Sequence, residues 1–266
     1  MSEAHPYGKG VDGFDRTFGL PMRRFIPTLI RSARLSPGHK VLDVGTGTGI
    51  AAQAALDAVG PSGHVAAIDD TPAMLDRARA RLGGRPNVAF AVERAGSLPF
   101  PAASFDAVLC SMALMIFPDR AGALRGFRRV LRDGGRVAAS VNTAPERSLT
   151  GRVRVAVARH VPSMQAALAH HYSRGGAAGL RTLLEAAGFR EVETATETRS
   201  FSFASFDAYF EPFERGGGPW GAEYAALPAE ARRMVRQEVR HGLERGAAPD
   251  GAIRIEADIL FGTGTR

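Results

Sequence analysis

Val41-Leu42-Asp43-Val44-Gly45-Thr46-Gly47-Thr48-Gly49 is the stretch that decides the fold. A short apolar run, Lys40 to Val44, ends beside an acid; glycines then alternate with threonines, and an alanine-rich helical pattern follows from Ile50 to Val59. Glycines in such a turn let backbone pass close beneath a ligand and adopt dihedrals closed to other residues. Dinucleotide-binding turns use Gly-x-Gly-x-x-Gly and set a pyrophosphate on the helix N-terminus. The spacing here is Gly-x-Gly-x-Gly, with Asp43 two residues before the first glycine. A carboxylate at that point repels a diphosphate and suits a ligand bearing an ammonium group.

Strands and helices alternate outward from this turn. A helix is expected over Pro21 to Arg34, then strands over Lys40–Val44, His64–Asp69, Val88–Val92, Phe105–Cys110 and Arg136–Val141. Thr71, with Pro72 at the first helical position, is expected to cap a helix running to Leu82. That leaves the Asp69 carboxylate, at the end of the second strand, to accept the hydroxyls of a ribose. A helix from Pro118 to about Arg132 is expected to stop at Asp133-Gly134-Gly135. Continuous apolar runs such as VAAI and AVLC indicate strands covered on both faces. Phe189–Thr198 and Ala252–Thr263 complete the strand set. The expected fold is α/β: a Rossmann-like, seven-stranded, mostly parallel sheet with helices on both faces.

Two irregular segments, 143–178 and about 200–249, interrupt the later alternation and are expected to form a helical lid over the sheet's C-terminal edge. The organisation expected is an N-terminal lid segment and helix (1–35), a ligand-binding core (36–142), and lid insertions with C-terminal strands completing the same domain (143–266).

With 45% hydrophobic and 23% charged residues over 266, the composition is that of a globular chain able to bury a substantial core. No apolar run is long enough to span a bilayer and no basic-then-apolar leader is seen, so neither a membrane span nor a signal peptide is expected. The single cysteine, Cys110, excludes an intrachain disulfide and fits a reducing cytoplasm. The histidines are scattered and no metal-ligand spacing appears. The net charge of +7 is carried almost wholly by arginines strewn along helices; only Lys9 and Lys40 are lysines. The densest group, Arg125 to Arg132, has apolar partners at helical spacing and reads as a solvated face, so neither nucleic acid nor membrane is an expected partner.

Four blocks, VLDVGTGTG (41–49), AIDDTPAML (67–75), LPFPAASFDAV (98–108) and FPDRAGALRGFRRVLRDGGRV (117–137), resemble the class I S-adenosylmethionine-dependent methyltransferases. Within that class they are similar to the branch of the ubiquinone and menaquinone biosynthesis enzymes and many natural-product enzymes. The resemblance implies S-adenosyl-L-methionine as cofactor. By that resemblance Asp43, Gly45, Thr46, Gly47 and Gly49 wrap its methionine part and Asp69 holds the ribose. Asp70 and Met74 lie beside the adenine, Ala95 and Gly96 contact the adenine edge, and Ser111 and Met112 flank the sulfonium. One position departs from the family pattern. Arg94, preceded by Glu93, stands where the family has an acid accepting the adenine amino group, and a guanidinium has no acceptor. Glu93, backbone groups around Ala95, or a weaker cofactor contact are the alternatives.

The resemblance fixes the acceptor less well. An in-line methyl transfer needs an aligned nucleophile and excluded water, and a general base only when the nucleophile arrives protonated. His171, His170 and Tyr172 in the first insertion are the candidate catalytic residues; His5 and Tyr7 are further candidates near the N-terminus. Phe201, Phe203, Phe206, Tyr209, Phe210, Phe213 and Trp220 in the second insertion argue for an apolar or aromatic substrate. The function expected is methyl transfer to an oxygen or carbon nucleophile of a small metabolite, with a homodimer as one permitted assembly and secondary metabolism as one setting. A methyltransferase-fold protein catalysing a non-methylating reaction such as cyclisation, a cofactor-binding module without catalysis, and a nicotinamide-dependent oxidoreductase are the competing readings.

Overall fold

The structure, a computed structural model, describes residues 10–173, 176–244 and 251–266. His5 and Tyr7 lie outside the described residues. The chain opens with α1 (Val11–Phe14), a π-helical turn at Asp15–Gly19, α2 (Leu20–Arg23) and α3 (Ile26–Ser32). The single helix expected from Pro21 to Arg34 is therefore broken. Pro27 sits in the first turn of α3, where its missing N–H interrupts the ladder and restarts the helix.

Next come β1 (Lys40–Val44), α4 (Ile50–Val59), β2 (His64–Asp69), α5 (Pro72–Leu82), β3 (Val88–Val92), β4 (Phe105–Ser111), α6 (Arg120–Val130) and β5 (Leu131–Asn142). Then follow α7 (Gly151–Ala158), α8 (Pro162–Tyr172), α9 (Ala177–Ala186), β6 (Arg190–Phe203), α10 (Phe206–Glu214), α11 (Gly218–Ala226), α12 (Ala229–Glu244) and β7 (Ile253–Thr265). The seven strands form one sheet in the order β3-β2-β1-β4-β5-β7-β6. The β1–β2, β1–β4, β2–β3 and β4–β5 pairs are parallel. Among the described residues no helix is long and apolar enough to cross a membrane.

α6 ends at Val130, earlier than expected, because Leu131 turns into extended backbone and pairs with Phe105. Residues 132–135, with Gly134 at φ +75°, form an irregularity before Arg136 pairs with Ala107. The residues expected to end a helix thus open a strand.

Where one domain with insertions was expected, the described residues fall into two compact units. The sheet unit takes Phe25–Val141, Arg174–Glu197 and Ile259–Arg266; the second unit takes Asn142–Ser173, Thr198–Asp258 and the described part of Met1–Arg24. In the sheet unit Leu42, Val44, Ile68 and Val108 pack with Leu124 and Phe127 of α6 and Leu184 of α9 in one buried cluster. Val41, pointing to the other face, is equally buried, and α3 packs on α4, so both faces of the sheet are covered. The Arg125–Arg132 group is tied down: Arg129 donates to the Leu98 and Phe100 carbonyls, Arg128 to Gly188, and Arg132 pairs with Asp106.

The core of the second unit is aromatic. Phe206 stacks on Phe210 at 5.2 Å, Tyr224 meets Phe210 edge-on, and Tyr209 donates its hydroxyl to the Leu149 carbonyl at 2.8 Å. Phe201, Phe206, Tyr209, Phe210, Phe213 and Trp220 are all buried. These rings build core, which removes them as direct evidence for an aromatic substrate.

Candidate functional site

β1 lies between β2 and β4, so the chain reverses its direction of sheet growth there, and the turn after β1 sits at the switch point where open α/β sheets bind ligands. Asp43, paired with Ala67 on one side and Leu109 on the other, is fully buried. Its Oδ2 accepts the Thr46 hydroxyl at 2.7 Å, while Oδ1 makes no hydrogen bond of normal geometry. Burial, with the Asp69 charge adding to it, pushes the carboxyl up to about 7 against the opposing Thr46 bond.

Gly45 and Gly47 have φ of +70° and +54°. A Cβ on Gly45 would meet the Ala113 Cβ at 2.4 Å, so close packing requires glycine there. A Cβ on Gly47 would meet nothing within 4 Å, so the same turn leaves open space above its second glycine. Gly49, also left-handed, precedes α4 without any side-chain cap.

Asp69 ends β2 and turns back to the glycine turn. Its Oδ2 accepts the Gly47 N–H at 2.9 Å and its Oδ1 accepts the Thr71 N–H at 3.0 Å. Burial raises its carboxyl above the ordinary range, with those two bonds opposing. Thr71 stands at the N-cap position, but its hydroxyl donates to Asp70 at 3.2 Å and makes no cap bond, contrary to expectation. Asp69 is thus engaged by the Gly47 and Thr71 backbone and by the Thr71 side chain rather than left free by a capping threonine. Each carboxylate oxygen still has a lone pair to offer.

The other expected cofactor residues belong to the same unit. Asp70 and Gly96 are exposed and Ala95 is half-buried. Met74 is 2% exposed and presents almost no surface to a ligand. Arg94 is exposed, while the Glu93 N–H is bound to the Asp69 carbonyl. Ser111 pairs with Ser140, and Met112 takes φ +56°, a conformation uncommon outside glycine. The Met112 N–H holds that bend by donating to the Ser140 carbonyl at 3.0 Å, and it lies 3.2 Å from the Ser140 hydroxyl.

His170, His171 and Tyr172, at the end of α8, belong to the second unit. His170 is half-buried. His171 is buried, with Nε2 2.6 Å from Nη1 of Arg154 and 2.9 Å from Nδ2 of Asn142, the last residue of β5. A guanidinium can only donate, so Nε2 is the acceptor of the Arg154 contact, and the same Nη1 lies 3.5 Å from Nδ1. The Tyr172 ring meets His171 edge-on at 4.7 Å, and its hydroxyl is buried without a partner. Arg154 escaped sequence reasoning; the signal was an arginine set between Val153 and Val155 in the helix Gly151–Ala158, two residues after Arg152. Among the described residues no cluster of His, Cys, Asp or Glu suits a metal ion.

Fold and glycine turn together define an α/β protein with a candidate ligand site at the sheet's switch point. Residues 42–139 match the family described as Methyltransferase domain. An arsenite methyltransferase of Halobacterium salinarum is 35% identical over 185 residues, 65% of this chain and 43% of that one. The aklanonic acid methyltransferase DauC of Streptomyces sp. strain C5 is 40% identical over 123 residues, 46% of this chain and 54% of that one. The chain spans about half the length of these relatives. The crystal structure of the YcgJ protein from Bacillus subtilis superposes with a TM-score of 0.61, covering 91% of this chain and 99% of that one. At 22% identity that likeness concerns the fold.

Proposed function

We propose that the protein is an S-adenosylmethionine-dependent methyltransferase that transfers a methyl group to an oxygen or carbon nucleophile of a small, apolar molecule. The observation that carries this is Asp43: a buried carboxyl at the switch point, one oxygen unsatisfied, beside a glycine turn with open space over Gly47. A buried acceptor without a donor is unfavourable in the free protein and calls for a cationic donor from the ligand. A diphosphate has no such donor. The residues present fit a ligand with an amino-acid end and a ribose.

In this reading Asp43, Gly45, Thr46, Gly47 and Gly49 hold the methionine part, and Asp69 adds ribose hydroxyls to the N–H bonds it already accepts. Asp70, Ala95 and Gly96 line the adenine side, where exposed Arg94 leaves recognition to Glu93 or backbone groups; Met74 serves from beneath as packing. Ser111 and Met112 bound the reacting end. S-adenosylmethionine supplies an electrophilic methyl group. The protein's own part is to align the acceptor and exclude water. His171 acts as a base only if Nε2 is released from Arg154; His170 and Tyr172 are the remaining candidates for moving an acceptor proton. Names of the relatives that specify arsenite and aklanonic acid support a small-molecule acceptor.

The test is incubation with methyl-labelled S-adenosylmethionine and a panel of phenols, enols and carboxylic acids. Labelled product from any member, abolished in Asp43→Ala, is the expected result. Absence of both product and S-adenosylhomocysteine binding would overturn the proposal.

A further inference from the structure

Arg154 is 2% exposed, yet among the described residues no carboxylate lies within ion-pair distance of it. Among the described residues its hydrogen bonds run only from Nη1 to the His171 ring, and its Nε is buried without a partner. The contrast is Arg136, similarly buried at 6%. Its guanidinium donates to the Ser32 carbonyl, the Thr263 hydroxyl and the Glu193 carboxylate. Arginine does not shed its proton in a protein, so Arg154 cannot relieve its burial by becoming neutral. Phe18 and Trp220 lie 5.1 and 5.8 Å from its Cζ and offset part of the desolvation through their π faces. They supply no counter-charge.

We infer that Arg154 is the centre of a binding site within the second unit for a small monocarboxylate with an apolar body. A single guanidinium with an unused Nε edge matches the planar, singly charged carboxylate, which it binds bidentately. A dianion would bring a charge that nothing here neutralises. The walls are the Phe18 and Trp220 rings, with Tyr172 edge-on to the His171 ring that Arg154 touches, and they suit an apolar body rather than a hydrated inorganic ion. The unsatisfied Tyr172 hydroxyl is a second donor waiting in the same cluster. Phe18 comes from the π-helical turn Asp15–Gly19 and is only half-buried, so this side of the cluster reaches the surface. This site goes beyond the methyl-transfer reading and does not depend on it.

Trp220 is the chain's single tryptophan, so its emission reports on this site alone. The full chain is titrated with 3-phenylpropanoate and with its neutral counterpart 3-phenylpropanamide, following that emission. The acid is expected to bind at least about tenfold more tightly than the amide, as charge-assisted hydrogen bonds imply. Arg154→Gln is expected to abolish the difference. Equal affinities in the wild type, or a preference surviving in Arg154→Gln, would overturn the inference. Should that variant fail to fold, Arg154→Lys decides: it keeps the charge but loses the fork, and unchanged affinity for the acid contradicts the site. S-adenosylhomocysteine binding by the wild type, measured separately, tests the methyl-transfer proposal without bearing on this comparison.

Discussion

The Asp69 carboxylate accepts the Gly47 N–H at 2.9 Å, fastening the glycine turn to the end of the neighbouring strand. Its other oxygen accepts the Thr71 N–H at 3.0 Å, so one side chain also sets the start of α5. Asp69→Ala is therefore expected to act twice. It should lower stability and weaken S-adenosylhomocysteine binding, each by about 1–3 kcal/mol. Denaturant unfolding and calorimetric titration of the same variant separate the two; an unchanged affinity in a folded variant would refute the ribose role.

Gly45 and Gly47 make different demands in the same turn. Gly45→Ala drives a methyl into Ala113, whereas Gly47→Ala meets open space and suffers only the left-handed backbone, about 1–2 kcal/mol. Gly45→Ala should be the more destabilising in urea. Gly47→Ala should remain folded and lose cofactor affinity, because its methyl fills the space a ligand needs. The reverse order of stabilities would show that the turn is built differently.

Asp43 makes stability depend on pH in a defined direction. The unfolded chain ionises this carboxyl near the ordinary value of 3.8, while the folded chain holds the proton until about 7. The folded state thus binds the extra proton between those limits, and the Asp43 contribution to stability falls as pH rises through that window. Asp43→Asn, which cannot ionise, should gain on the wild type from pH 4 to 7, approaching roughly 4 kcal/mol at about 1.4 kcal/mol for each pH unit between 3.8 and about 7, and then level off. A ligand carrying a cation next to Asp43 favours the ionised form, so its affinity should rise about tenfold between roughly pH 6 and 8. Melting curves and titrations across that range check both; a stability difference that ignores pH contradicts the buried, unpaired state.

The strand-acid-glycine pattern of residues 41–49 and the apolar runs after it were enough to place five parallel strands; β1, β2 and β4 announce themselves by continuous hydrophobicity, while the edge strand β3 is apolar yet leaves Val92 51% exposed. The boundaries were harder. Leu131 to Gly135 carry helix-stop residues yet join the sheet, since pairing with Phe105 outweighs local propensity. Thr71 has the right identity for a cap, but the hydroxyl took a neighbouring carboxylate instead. Asp43 and Asp69 were recognisable from spacing, while their burial and the Asp69–Gly47 bond were not. Arg154 left only the signal of its place between Val153 and Val155, because nothing in a helical repeat says whether an arginine points outward or into a cage of rings.

Calorimetric titration of the wild-type chain with S-adenosylhomocysteine and, in parallel, with NADH tests the role of the Asp43 glycine turn most directly. One molecule of the sulfur ligand should bind per chain, with NADH giving no heat. Tight NADH binding with no response to S-adenosylhomocysteine or S-adenosylmethionine would contradict it.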